Sequence, residues 1–198
     1  VLYLSTNTDL ACGEVLQDLR YSFNPKQETA FVTISVWDVV DELSLVSLYY
    51  SNKVGTVRDD IAKFKQSNQA SLMANGVVRK DVIRVGDLIL EFFCDQFAKE
   101  GIESPHDYKF SASYSMRVRD MNKHIRPEHV FDGLLYPSVA MRFKGDNIAL
   151  FDDRLSSKVK FNTAFEVKCV DFDFEQALFN SYILRELQGV LSDGSLNW

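Results

Sequence analysis

With 198 residues, the chain has the length of one domain and can bury a substantial core. Its 46% hydrophobic and 25% charged residues are ordinary for a folded protein and argue against global disorder. The net charge of −6, without any run rich in lysine or arginine, argues against nucleic acid as a partner. The longest apolar stretches, such as residues 43–50, are too short and too polar to span a bilayer, so no membrane partner is predicted.

The three cysteines, Cys12, Cys94 and Cys169, are odd in number and far apart. This spacing fits neither a disulfide framework nor a CxxC metal pair, and it favours a reducing, cytoplasmic setting. The three histidines lack the spacing of a zinc motif, and the sequence has no GxGxxG or P-loop string. The sequence therefore predicts neither a metal site nor a bound cofactor.

The first elements are a strand, a helix and a second strand. Residues 1–4 have the composition of a short strand, and Asn7 or Thr8 is expected to cap a helix over residues 9–20. Residues 29–37 are rich in β-branched and aromatic residues, which predicts a strand buried on both faces. Residues 38–50 are compatible with a helix or with extended chain. The side chains of the first helix expected to face the core are Leu10, Val15, Leu16 and Leu19.

The middle of the chain is predicted to be helical, over residues 57–74, 81–100 and about 106–123. The Asn–Gly pair at 75–76 signals the end of the first of these helices. The second has apolar residues at three- and four-residue steps, which is typical of one buried face. We expect its phenylalanines to lie in the core, with a partner-binding face as the alternative. The apolar positions are Val82, Val85, Leu88, Ile89, Phe92, Phe93 and Phe97.

Strands return in the last third of the chain. Short strands are predicted over residues 130–136 and 147–151, joined through a turn at 144–146, and a longer strand over 158–170. Residues 173–191 are mixed, and the Ser-Asp-Gly-Ser string at 192–195 predicts a hairpin. Strands at both ends with helices between them predict an α+β fold rather than a doubly wound sheet.

Two clusters in this pattern resemble a known family. The first is YLSTNTDLACGE at residues 3–14, and the second is FDGLLYPS at 131–138 followed by GDNIALF at 145–151. In this order they resemble the two motif segments of the RES domain, a family named for its arginine, glutamate and serine. On that match Tyr3 and Glu14 take the places of the family's active-site tyrosine and glutamate, and Ser138 takes the place of its serine.

The resemblance has one gap, which bears on the domain boundaries. The family's arginine lies upstream of the tyrosine, and this chain begins at Val1, within the first predicted strand. We therefore expect a single RES-like domain over residues 1–198, truncated at its N-terminus, with the arginine in the missing part. Roughly residues 52–126 are expected to form a helical insertion, longer than in compact members of the family.

The resemblance also implies a fold and an activity. RES domains are related in fold to ADP-ribosyltransferases, so a split β-sheet core is expected, with the helical insertion added to it. Known members degrade NAD by phosphorolysis or hydrolysis, some transfer ADP-ribose to a protein, and many act as toxins beside a protein antitoxin. The implied function is cleavage of the nicotinamide–ribose bond, with NAD as a substrate rather than a cofactor. The alternatives are a protein ADP-ribosyltransferase and a catalytically silent interaction module of the same fold.

The residue types fit this chemistry. A carboxylate such as Glu14 can stabilise the positive charge that develops on ribose, or orient a ribose hydroxyl or the attacking nucleophile. Tyr3 is suited to contact nicotinamide, and Ser138 to bind ribose or phosphate. From the pattern alone, the same residues are compatible with a solvated helix position, a half-buried strand position and a turn.

Three further residues are candidates for substrate binding. Gly13 leaves room for close approach beside Glu14, or permits tight packing of helix against strand. Arg142 and Lys144 follow Ser138 closely and are candidates for contacts with the phosphates of the dinucleotide, with a solvated turn as the alternative.

Overall fold

The computed structural model describes residues 1–17, 29–49, 51–55, 58–74, 80–100, 105–173, 175–193 and 195–198. It has an α+β fold, as predicted, with its strands divided between separate sheets. The strands are β1 (Leu2–Ser5), β2 (Ala30–Val39), β3 (Leu45–Ser47), β4 (Gly133–Pro137), β5 (Asp146–Leu150), β6 (Val159–Asp173), β7 (Leu178–Glu186), β8 (Gly189–Val190) and β9 (Leu196–Asn197). The helices are α1 (Thr8–Leu16), α2 (Asn52–Gly55), α3 (Asp59–Ala74), α4 (Lys80–Phe97), α5 (Lys109–Met121) and α6 (Leu155–Lys158).

The first sheet has four strands in the order β1-β5-β4-β3. β5 pairs antiparallel with both β1 and β4, whereas β3 runs parallel to β4. The register aligns Ser5 with Asn147 and Asn147 with Tyr136. Because paired residues share a face of a sheet, polar side chains from all three strands lie side by side.

The second sheet has the order β2-β6-β7 and is antiparallel throughout. In the first half of β2, buried and exposed residues alternate, so only one face of this strand is covered. The prediction of a strand buried on both faces was therefore wrong, because Phe31 on the other face is 61% exposed. The covered face packs against α1, where Leu16, Val32 and Val167 share one core cluster.

Helix α1 begins as the sequence predicts. The side chain of Asn7 accepts a hydrogen bond of 2.9 Å from the amide of Leu10, which makes it the N-cap. Leu10 and Leu16 are buried as expected, but Val15 is 55% exposed and its predicted inward position was wrong. The helix turns Cys12 and Gly13 inward instead. Residues 18–20, with Leu19 and the predicted end of the helix, lie outside the described residues.

Cys12 lies at the centre of this core. It is fully buried beside Cys169, and both thiols are free. Burial, with a smaller contribution from Cys169, raises the pKa of Cys12 to about 12. The thiol is therefore protonated at neutral pH and serves as a small apolar group in the packing of α1.

The middle of the chain is helical, as predicted, and α4 and α5 pack on the first sheet. Phe93 and Phe97 contact Tyr114 of α5, and Phe97 also contacts Tyr136 of β4. Phe93 and Phe97 are partly buried as expected, but Phe92 is 44% exposed, so the prediction that all three phenylalanines lie in the core was wrong for Phe92. Exposed apolar residues of the helix are Val85, Leu88, Ile89 and Phe92. Within the described ranges, none of the helices is long and apolar enough to cross a membrane.

A buried carboxylate joins the first sheet to the segment that follows it. Asp132, just before β4, is 1% exposed and accepts hydrogen bonds from the amide of Ser44 and from Nε of Arg154, at 2.9 and 2.8 Å. Nζ of Lys158 lies 3.6 Å from the same carboxylate. These contacts connect β3, β4 and the start of β6. The two cations compensate the buried charge, which indicates a structural role for Asp132.

We expect Asp132→Ala to lower the free energy of unfolding by about 3 kcal/mol, because it leaves Arg154 and the amide of Ser44 without this acceptor and removes the charge beside Lys158. Urea denaturation measures this change. Asp152→Ala is the control, since Asp152 pairs with Arg119 at 2.8 Å where both side chains are about half exposed. It should cost about 1 kcal/mol or less. Equal losses in the two variants would contradict the structural role of Asp132.

Candidate active site

The carboxylate of Glu14 is held by donors from distant parts of the chain. Its Oε1 accepts hydrogen bonds from the hydroxyl of Ser138 at 2.5 Å and from Nδ2 of Asn147 at 2.6 Å. Within the described ranges, its Oε2 accepts only a longer, exposed hydrogen bond of 3.3 Å from Gln17, one turn along the helix. All three donors are neutral. The negative charge of Glu14 is therefore fixed in position without being paired by them.

Ser138 is presented by a tight loop between β4 and β5. Its amide donates to the carbonyl of Gly145 at 2.9 Å, and its carbonyl accepts from the amide of Phe143 at 2.7 Å. Its hydroxyl accepts from the amide of Met141 at 3.2 Å while donating to Glu14. The side chain is fully buried, and these contacts satisfy each of its hydrogen-bonding groups within the protein.

The same loop holds two residues in the left-handed region. Arg142 and Phe143 have φ values of 50° and 63°, which residues other than glycine rarely adopt. Phe143 is buried among apolar side chains, which anchors the loop, while Arg142 stays exposed. The packing of Phe143 thus compensates for the cost of the backbone conformation that places Arg142 at the cleft.

Asn147 is oriented from its other side. Its Oδ1 accepts a hydrogen bond of 2.7 Å from the hydroxyl of Ser5 on β1, so its Nδ2 points to Glu14. The neighbouring Asp146 accepts from the hydroxyl of Tyr49 and from Nη1 of Arg58, both at 2.5 Å. These contacts fix the start of β5 on both sides of the strand. Asn147 is therefore a positioning residue for the carboxylate.

Gly13 allows α1 to approach the Ser138 loop. A Cβ at this position would overlap Sδ of Met141 and lie 2.9 Å from its Cγ. The close contact between helix and loop brings Glu14 within hydrogen-bonding distance of Ser138. The close contact is with the loop rather than with a strand, and Gly13 also lines the cavity described below, so its predicted role in substrate binding stays a prediction.

A cavity of about 910 Å³ opens beside Glu14. Its floor is one face of the first sheet, with Tyr3, Tyr136 and Asn147, and its walls come from α1, the Ser138 loop and the helices α4 and α5. Burial, together with the nearby Glu14 and Tyr3, raises the pKa of Tyr136, so its hydroxyl stays protonated. Tyr3 is 72% exposed and presents its ring to the cavity.

The structure brings together most of the residues predicted from the two motifs. Glu14 and Ser138 are bonded directly, and Tyr3, Gly13 and Arg142 line the same cavity. Lys144 lies exposed on the loop but is not part of the cavity lining, so its predicted phosphate contact stays a prediction.

Sequence reasoning missed three residues of the site. Ser5 and Asn147 both occupy positions within the motif strings, and that was the available signal for them. Tyr136 also lies within the second motif string, and the strand pairing is what places it next to Asn147. Among the residues that the structure describes, there is no group of three or more His, Cys, Asp or Glu side chains that could hold a metal ion.

Comparison with known proteins identifies the family of the chain. The family model of the RES domain matches residues 1–168. The chain belongs to the RES domain family. Membership of the family is consistent with an NAD-related role. Searches of curated proteins and of solved structures found no match, so similarity to ADP-ribosyltransferases stays a prediction for this RES domain.

We expect Asn147→Asp to destabilise the protein at neutral pH, because it replaces a donor to Glu14 with a second carboxylate at 2.6 Å. One carboxyl of the folded variant then retains a proton that the unfolded chain has lost. The variant is therefore stable below about pH 4 and loses stability as the pH rises above that value. The loss is about 1.4 kcal/mol for each unit by which the pKa of the protonated carboxyl is raised. Thermal unfolding between pH 4 and about 8 measures this loss.

Asn162→Asp provides the matched control for this experiment. Nδ2 of Asn162 donates to Asp38 at 3.0 Å on the exposed surface, so solvent screens the new pair of carboxylates. Its unfolding should change little with pH relative to the parent protein. An equally flat profile for Asn147→Asp would contradict the buried contact between Asn147 and Glu14.

Proposed function

We propose that this protein cleaves the nicotinamide–ribose bond of NAD, with Glu14 as the central carboxylate. The observation that carries the proposal is a carboxylate fixed at the edge of a large cavity, to which the described residues donate only from neutral groups. A carboxylate in this setting keeps its charge available for a cation. In a structural ion pair such as that of Asp132, the charge is already compensated.

The charge of Glu14 matches the chemistry of an N-glycosidic bond. As the bond to nicotinamide breaks, its electron pair leaves with the neutral nicotinamide and positive charge develops on the ribose. Glu14 stabilises that charge, and its Oε2 has room for a ribose hydroxyl because Gln17 is its one donor in the described part of the chain. An acceptor oxygen then bonds to the anomeric carbon and releases its proton, giving ADP-ribose with water or ADP-ribose 1″-phosphate with phosphate.

Other residues around the cavity bind and orient the substrate. Tyr3 is exposed on β1, where it pairs with Ala149, and in this proposal it contacts the nicotinamide ring. Arg142 is held at the cavity by the Ser138 loop and supplies a guanidinium for a phosphate oxygen. Lys144 on the same loop is a second candidate for a phosphate contact. The hydroxyl of Ser138 acts through Glu14, to which it donates.

We expect Glu14→Gln in the full-length protein to keep the fold and lower nicotinamide release roughly 100-fold or more, as for the loss of one preorganised electrostatic group. The side-chain oxygen of the new glutamine still accepts from Ser138 and Asn147. Its NH2 group would face the NH2 group of Gln17, and Gln17 can rotate its amide so that its oxygen accepts instead. Glu42→Gln is the control, because Glu42 is an exposed glutamate far from Glu14 in the sequence, and this variant should keep full turnover. An active Glu14→Gln enzyme would exclude the proposed role of Glu14.

The acceptor is decided by the same assay with different additions. Release that increases with phosphate indicates phosphorolysis, and release without phosphate indicates hydrolysis. Radiolabel from the adenosine half of NAD on a polypeptide would instead indicate a protein ADP-ribosyltransferase. A folded protein that neither releases nicotinamide nor binds NAD would favour the catalytically silent interaction module.

A further inference from the structure

The cavity extends well beyond Glu14, to residues of the helical segment between β3 and β4. Gln96 and Lys99 at the end of α4 line its far wall. Tyr108, Ser111 and Ser115, at the start of α5, continue the same wall at the spacing of one helix face. The catalytic carboxylate and this wall therefore border one continuous space.

The size of this space exceeds what the reacting half of a dinucleotide needs. Ligand sites in proteins span roughly 300–1,000 Å³, and this cavity of about 910 Å³ is near the upper end of that range. A nicotinamide riboside next to Glu14 and Tyr3 fills only the part near the first sheet. The part bordered by α4 and α5 is left for a second group.

The far wall has the chemistry of a nucleotide subsite. The ring of Tyr108 is 52% exposed at the cavity, which suits stacking on a purine. Ser111 and Ser115 donate their hydroxyl protons to backbone carbonyls, at 3.1 and 2.8 Å, so the oxygen of each accepts from a ligand. An exocyclic amine and ribose hydroxyls are donors of the required kind.

Two cationic residues from different segments line the cavity. Arg142 comes from the Ser138 loop, near Glu14, and Lys99 comes from the chain just after α4, on the far wall. A pyrophosphate carries two negative charges and links the two halves of a dinucleotide. Its position between these walls would join the catalytic end to the far wall.

We propose that the wall formed by α4 and α5 is the subsite for the adenosine diphosphate half of the substrate. Tyr108 stacks on adenine, and Lys99 and Arg142 flank the pyrophosphate. The proposal rests on the proposed function. It means that the helical segment between β3 and β4 selects dinucleotides over mononucleotides.

The test compares the full-length parent protein with Tyr108→Leu and Tyr108→Phe. Calorimetry measures the Kd of ADP-ribose, and nicotinamide release gives KM for NAD and for nicotinamide mononucleotide, which lacks the adenosine half. Tyr108→Leu should raise the Kd of ADP-ribose and the KM for NAD roughly five- to 100-fold, the range for losing one stacked base. The effect on nicotinamide mononucleotide should be much smaller. Tyr108→Phe should restore tight binding because it keeps the ring.

Phe110→Leu is the matched control. Phe110 is 53% exposed two residues beyond Tyr108, in the first turn of α5, but it packs against Phe92 and is not part of the cavity lining. Its replacement removes an equally exposed ring from α5 and should leave the binding of ADP-ribose unchanged. A loss as large as that of Tyr108→Leu would mean that α5 is simply disturbed, which would overturn the subsite.

The remaining outcomes separate the subsite from the proposed function. Binding of ADP-ribose that depends on Tyr108, in a protein that releases nicotinamide from neither substrate, supports the subsite and contradicts the proposed function. Turnover of NAD with no dependence on Tyr108, or with the same dependence for the mononucleotide, supports the proposed function and overturns the subsite. Failure of the parent to bind ADP-ribose also overturns it.

Discussion

The hydrogen bonds that join Glu14 to Ser138 and Asn147 are the contacts on which the arrangement of this protein depends. They link residues that are 124 and 133 positions apart in the chain, and they form only if several conditions hold together. β1 must pair with β5 in the observed register, the Ser138 loop must close on itself, and α1 must approach the loop closely at Gly13. Since unsatisfied buried polar groups are costly, these conditions reinforce one another.

Two acidic residues beside the first sheet show how the choice of partners separates structure from function. Asp132 is buried with Arg154 and Lys158, and its charge is compensated within the protein. Glu14 is held by a serine, an asparagine and a glutamine, and the described residues give it only these neutral donors. The first arrangement stabilises a junction between strands. The second leaves a fixed negative charge next to open space, which suits the stabilisation of a cation formed during a reaction.

The cavity combines parts of the fold with different kinds of support. The end near Glu14 rests on hydrogen-bonded strands and on a loop anchored by Phe143, so many contacts define its geometry. The far wall belongs to α4 and α5, whose described residues pack on the sheet in some turns. Under our proposals, the hydrogen-bonded end performs bond cleavage, where precise geometry matters most, and the helical wall determines which substrates fit.

Sequence alone determined the local features of this protein. Hydrophobic spacing predicted the helices and most strands, and the polar turn narrowed the cap of the first helix to Asn7 or Thr8. Two motif strings identified the family and predicted Glu14, Ser138 and Tyr3 as site residues. Such features depend on neighbouring residues, which a sequence displays directly. The tertiary structure alone decided the exposure of Val15 and of one face of β2, and it brought Tyr136 to the site and α5 to the cavity. These depend on strand register and helix packing between distant segments, which no local pattern encodes.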